Sequence, residues 1–286
     1  MTLLSALKLA LMASIFLSVL ALALRARAAD VFYLFREWRL GLRAFIAMFV
    51  VVPAVAIFIA YAFELKPAVE IALIALAFSP VPPLLPKKQI KAGGAASYTT
   101  GLMVGASLAS LVAAPIGIAL AGHVFGIETH VSVPGIVKTL GMLIAVPLAL
   151  GLLAQRLFGE SARTFASALG HFALLLLAAC ALVLLFVIAP ALWAVIGDGT
   201  IVAIVAMILA GLAAGYLLAG PTPEDRAALS LAAAARHPGI AMGIAAVNFP
   251  DEKLAPAAIL LFFILSAVLS MPLLHLLGKA TAKPSA

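Results

Sequence analysis

The chain has 286 residues, 66% of them apolar and 10% charged, with a formal net charge of +7. A water-soluble domain is nearer half apolar and a quarter charged and could not hide this much hydrocarbon, so composition excludes a soluble globular protein and names the bilayer as solvent. In that setting the positive balance reports membrane orientation and not a nucleic-acid partner.

A spanning helix needs about 20 apolar residues. In chain order the sequence predicts nine such segments: 5–24, 43–62, 68–91, 95–121, 134–155, 165–188, 199–219, 225–248 and 255–277. The first is followed by ARAAD, which faintly resembles a secretory cleavage site. Arg25 and Arg27 lie after the apolar run and only Lys8 before it, an order that favours a retained helix. No soluble domain, long linker or low-complexity segment interrupts the series, and the short loops predict antiparallel neighbours. Trp38 and Trp193 fall where interfacial anchors belong. Glycines in GMLIAVPLALG (141–151) and GLAAG (211–215) read as close helix contacts. The lone cysteine, Cys180, sits in LLLLAACALVLLF with no disulfide partner and no metal-ligand spacing, and reads as helix packing.

The third segment starts as IALIALAF (71–78) and then meets Ser79-Pro80-Val81-Pro82-Pro83, with Pro86 close behind. Each proline removes a backbone donor and pushes the residue before it out of the helical region. One proline would kink a helix; this cluster predicts an interruption near 79–83, at mid-membrane. Bare backbone in lipid costs several kcal/mol per group, so a break at this depth belongs inside protein or beside a water-filled cavity. The eighth segment repeats the device: ALSLAAAARHPGIAMGIAAV (228–247) places Arg236-His237-Pro238-Gly239 between two apolar halves. Arg236 lies roughly 15 Å of helix from the nearer membrane face, beyond comfortable snorkelling reach, and an ionisable residue at such depth is a functional candidate.

Loop charges set the orientation. Arg25, Arg27, Arg36, Arg39, Arg43, Arg156, Arg163, Arg226, Lys279 and Lys283 fall on one side. Lys66, Lys138 and Lys253 fall on the other, among Glu64, Glu70, Glu128, Asp198, Asp251 and Glu252. This positive-inside pattern puts the N-terminus outside and the C-terminus in the cytoplasm, as an odd number of spans requires, and suits a bacterial inner membrane. The two broken segments then run in opposite directions, as in an inverted-repeat transporter whose site lies at the breaks.

On these residues the chain resembles the bile acid:sodium symporter family over nearly its whole length. SPVPPLLPKKQIKAGGA stands against the family's first crossover without gaps from Pro80 to Ala95, and AAAARHPG (232–239) against the second, with Arg236, Pro238 and Gly239 kept; FPDEKLAPAAILLFFILSAVLS (249–270) shares the family's character. The resemblance implies a nine-helix variant forming one transporter unit over 1–286. Panel-type helices would lie at about 1–62 and 134–188 and core-type helices at about 68–121 and 199–277, with the third and eighth crossing in the core. It also implies where sodium would bind, and there the chain departs. The family's crossover serine and asparagine positions are Leu85 and Pro86, its second-crossover glutamate position is Ala232, and a panel glutamine position is Met48. Thr99 matches one hydroxyl position. Hard cations need oxygen ligands, which Leu, Pro, Ala and Met side chains lack. The resemblance therefore implies a transporter fold without conventional sodium coupling and with no other cofactor or metal.

Lys87, Lys88 and Lys91 follow the first break, Lys87 and Lys91 sharing a face. They read either as a fixed cation or anion-binding group at the crossover, or as headgroup anchors of a short helix. The half-helix opening near Pro86 turns a positive end toward the break, and Arg236 is a donor suited to a carboxylate. Gln89, Thr99 and Thr100 are candidate polar lining. His237 reads as a hydrogen-bonding core residue or as a titrating group that would permit proton coupling. His123, His130, His171 and His275 are less informative. The expected activity is secondary transport of a small organic anion by alternating access, with the lipid bilayer as a partner, no nucleic acid, and the oligomeric state open. An intramembrane enzyme would need a nucleophile with its base, or metal ligands; no H-E-x-x-H or paired intramembrane carboxylates occur. A transporter-derived receptor or non-transporting scaffold is the alternative.

Overall fold

The computed structural model describes residues 3–26, 29, 32–82, 85–91, 93–125, 134, 137–138 and 141–281. These residues are helical, with no strand among them. In chain order they form α1 (Leu3–Arg25), the single turn α2 (Tyr33–Arg36), α3 (Trp38–Ala62), α4 (Pro67–Ala77), α5 (Leu85–Lys91), α6 (Ala96–Phe125), α7 (Gly141–Phe158), α8 (Glu160–Val195), α9 (Thr200–Leu218), α10 (Pro223–Ala234), α11 (Pro238–Asn248) and α12 (Ala255–Thr281). Among the described residues, α1, α3, α6, α7, α8, α9 and α12 are long and apolar enough to cross a membrane. The other two predicted segments are the interrupted ones, and none of their halves spans alone: α4 and α5 replace the third, α10 and α11 the eighth.

The breaks fall slightly differently from expectation. The second lies at Ala235–His237, so Pro238 and Gly239 belong to the first turn of α11 and not to the gap. Proline's fixed φ suits a helix's opening position, where its missing N–H would be unpaired anyway, while His237 before it is extended. Pro86 likewise lies inside the first turn of α5, and Pro80 and Pro82 in the non-helical stretch before it. Pro83 lies outside the described residues.

Two π-helical turns were not legible beforehand, Ala47–Val51 in α3 and Gly141–Ala145 opening α7. Each precedes a Val-Pro pair, Val52-Pro53 and Val146-Pro147. A proline ring collides with the carbonyl one turn back, and widening that turn relieves the collision.

Packing sorts the helices into two sets. α1 lies along α7 and α8. α3, α6, α9, α11 and α12 pack on α4, whose Ala68, Val69, Ala72, Leu73, Ile74, Ala75, Leu76 and Ala77 are buried, while α10 packs on α9 and α12. The second predicted span, grouped above with the panel, has its principal partners in the other set: α3 packs on α4 and α9. Its buried Val52, Ala56 and Ile59 join the hydrophobic cluster built on α4, and that burial decides its place. α9 presses on α10 through two glycines, because a Cβ at Gly211 or Gly215 would come within 2.7 Å of Ala233 O or 2.4 Å of Ser230 Cα. Gly151 makes the same approach to α1, whereas a Cβ at Gly141 would meet nothing within 4 Å. Trp38 and Trp193 are both largely exposed, as interfacial anchors should be.

Candidate functional site

The two breaks meet. The backbone N–H of His237 is shared between Pro80 O at 2.9 Å and Ser79 Oγ at 3.1 Å, joining one gap to the other. Ser79, Arg236 and His237 are all buried.

What holds this junction is a set of carbonyls that prolines have deprived of helical donors. Leu76 O would pair with residue 80, a proline; it accepts instead the Ser79 N–H at 3.0 Å and the Ser79 hydroxyl at 2.9 Å. Ser79 O would pair with residue 83, again a proline; Arg236 Nη1 donates to it at 3.2 Å. Ala234 O would pair with Pro238; Ser266 Oγ of α12 donates to it at 3.2 Å. Met48 O loses both candidates in the π turn, since the Val52 N–H goes to Ala47 O and residue 53 is proline; Arg236 Nη2 donates to it at 2.7 Å. Buried carbonyls must find partners, and one guanidinium serves two of them on two different segments. Its planar fork holds two nitrogens apart, each aimed at one carbonyl, whereas a lysine would have to meet both from one shorter-reaching ammonium. The guanidinium carbon also lies 5.9 Å from the Phe49 ring centre.

Arg236 is thus committed to main chain, not free to clamp a carboxylate with both terminal nitrogens. Among the described residues no carboxylate pairs with it, and Nε has no hydrogen-bond partner. His237 caps α11, its Nδ1 accepting the Ile240 N–H at 3.4 Å, which leaves Nε2 without a partner.

A cavity of about 140 Å³ lies against this junction, between α1 and α8 on one side and the breaks with α12 on the other. Six sequence-predicted residues line it: Pro82, Lys88, Arg236, His237, Pro238 and Gly239. The rest of the wall is mostly aliphatic, with Ser18, Ser266 and Ser270 as further polar groups. Ser79 and Pro80 sit behind the junction instead of on the cavity wall. Gln89, Thr99 and Thr100 are not part of the lining. Gln89 is buried against α10, Nε2 donating to Ala228 O at 2.6 Å, and its Oε1 lacks a partner, as do the buried Tyr98 hydroxyl and Ser230 Oγ. Lys88 is exposed along α5; the side chains of Lys87 and Lys91 lie outside the described atoms.

Sequence reasoning missed the contributions of α1 and α12. A signal existed: Ser14 with Ser18, and Ser266 with Ser270, stand four residues apart in otherwise apolar helices and so share a face. It also missed Met48 as an acceptor, because a main-chain oxygen leaves no mark on residue type. Among the described residues no three His, Cys, Asp or Glu side chains cluster as a metal site. At the positions where sodium ligands were considered, Leu85, Pro86, Ala232 and Met48 are buried and offer no side-chain oxygen.

Residues 9–193 fit the family described as the Sodium Bile acid symporter family. No curated protein sequence matches the chain.

Proposed function

The chain belongs to the Sodium Bile acid symporter family, and from that premise we propose that it is a secondary transporter of a small organic anion, working by alternating access without conventional sodium coupling. The observation that carries this reading is the buried Arg236 guanidinium, which ties the first break and α3 to the second break through main-chain oxygens. A positive charge is thereby built in at the crossing, where Leu85, Pro86, Ala232 and Met48 offer a metal ion no side-chain oxygen. The cavity beside it supports the substrate assignment. Leu11, Ile15, Leu184, Met242, Leu260 and Phe263 take an apolar body, while Lys88 and the positive field of Arg236 attract an anionic end. Loop charge supports an N-terminus outside and a C-terminus in the cytoplasm, in a bacterial inner membrane. Protons acting through the unpartnered Nε2 of His237 are the coupling alternative.

Counterflow in proteoliposomes tests the reading, with substrates first drawn from a thermal-shift screen of organic anions. Exchange of a stabilising anion, unchanged when choline replaces sodium, is expected. A steep sodium dependence would overturn the built-in-charge assignment. The second reading, a transporter-derived receptor or scaffold, is favoured by the lost oxygen ligands; binding without any exchange would select it.

A further inference from the structure

A second recess lies away from the crossing, between α3 and α6, enclosing about 420 Å³. One wall is Trp38, Leu42, Phe45 and Phe49, at four-, three- and four-residue steps that keep them on a single face of α3, with Phe35 of α2 beside them. The opposite wall is α6, where Gly105, Ala106 and Ala109 leave room between Leu102 and Leu108. Its end is shaped by close approach. A Cβ at Gly41 would lie 2.5 Å from Leu34 O, and one at Gly105 would lie 2.8 Å from Leu34 Cδ1, so both glycines let α2 fold back over the recess. Phe35, Trp38, Leu42 and Phe45 are exposed, although each is large and apolar. Beside them stand three exposed arginines, Arg36, Arg39 and Arg43, against one acidic residue, Glu37. The Arg39 guanidinium carbon is 5.6 Å from the Trp38 ring centre.

We propose that this recess is a lipid site selective for an anionic glycerophospholipid: an acyl chain lies along the Phe35–Phe49 face and the arginines hold the phosphate headgroup. Three features point to that chemistry. The recess opens from a spanning helix, so hydrocarbon is its natural solvent. Trp38 marks headgroup depth, as interfacial tryptophans do. Guanidinium groups bind phosphate in a fork, and clustered arginines beside a membrane helix draw anionic lipids. A zwitterionic lipid offers the same tail but leaves the surplus positive charge unanswered. This site is independent of the transport reading.

Native mass spectrometry of the full chain in detergent, titrated with phosphatidylglycerol and phosphatidylcholine of identical tails, tests it. Phosphatidylglycerol is expected to bind about tenfold more tightly or better. The pair Arg39→Gln with Arg43→Gln should bring that ratio close to one, while the control pair Arg156→Gln with Arg163→Gln leaves it intact. Ala109→Phe, which fills the recess, should weaken both lipids; Leu42→Trp fills it from the other wall if the first variant does not fold. Equal affinity for the two lipids in the unmodified chain, or a preference that survives loss of Arg39 and Arg43, overturns the assignment.

Discussion

Arg236 is the residue on which the crossing turns. Its two terminal nitrogens reach carbonyls of Ser79 and Met48, on segments 157 and 188 residues away in the chain. Arg236→Lys keeps the charge, but its one nitrogen cannot occupy the positions of both Nη1 and Nη2, so it should strand at least one buried carbonyl at about 1–3 kcal/mol. A lower melting temperature together with lost uptake is expected; a variant with unchanged melting and transport would show the fork to be dispensable. Lys88 is a different kind of residue, exposed and at the cavity wall. Lys88→Ala should leave melting unchanged and raise the half-saturating anion concentration about tenfold, the worth of one charge-assisted hydrogen bond. Identical kinetics would remove it from the site.

At the scale of elements, proline and glycine do complementary work. Prolines free carbonyls and force local departures: two gaps and two π turns. Glycines then let the fragments approach closely enough for those carbonyls to be answered. The α9–α10 contact is the sharpest instance. Gly215→Leu would drive a side chain into Ser230 Cα and Leu229 O and should cost roughly 1–3 kcal/mol or more, read as a drop in thermal stability in detergent. Gly141→Ala, where a Cβ meets open space, should change stability by less than about 0.5 kcal/mol. Equal effects of the two would mean that close approach is not what these glycines provide.

Across the whole molecule, the cavity lies where the α1–α7–α8 set faces the interrupted helices. If transport moves one set against the other, fixing them together must stop it. Ile15 of α1 and Met242 of α11 both line the cavity from opposite sets. With the single native cysteine replaced by Cys180→Ala, the pair Ile15→Cys and Met242→Cys should lose anion exchange on treatment with a short bismaleimide, and each single variant should not. Full exchange by a cross-linked protein would exclude relative motion of the two sets as the transport step.

Much of this protein can be read from residue type alone. Hydrocarbon content names the solvent, a proline cluster and a Pro-Gly pair locate the two gaps within a few residues, and a charged side chain in the second marks the eighth segment as the unusual one. These features are legible because they are local: a missing N–H or a charge in lipid has the same cost in any fold. Three matters were decided only by tertiary structure. α3 joined the helices around α4 because its buried face fits there. The π turns appeared where a neighbouring proline could be relieved by widening the turn. Arg236 turned from a free anion-binding donor into a tie between main-chain oxygens. The first and last depend on which distant atoms come together, Arg236 on carbonyls within about 3 Å, the reach of a hydrogen bond, and one-dimensional order does not carry that distance; the π turns depend on whether the packed helix answers its proline by kinking or by widening a turn.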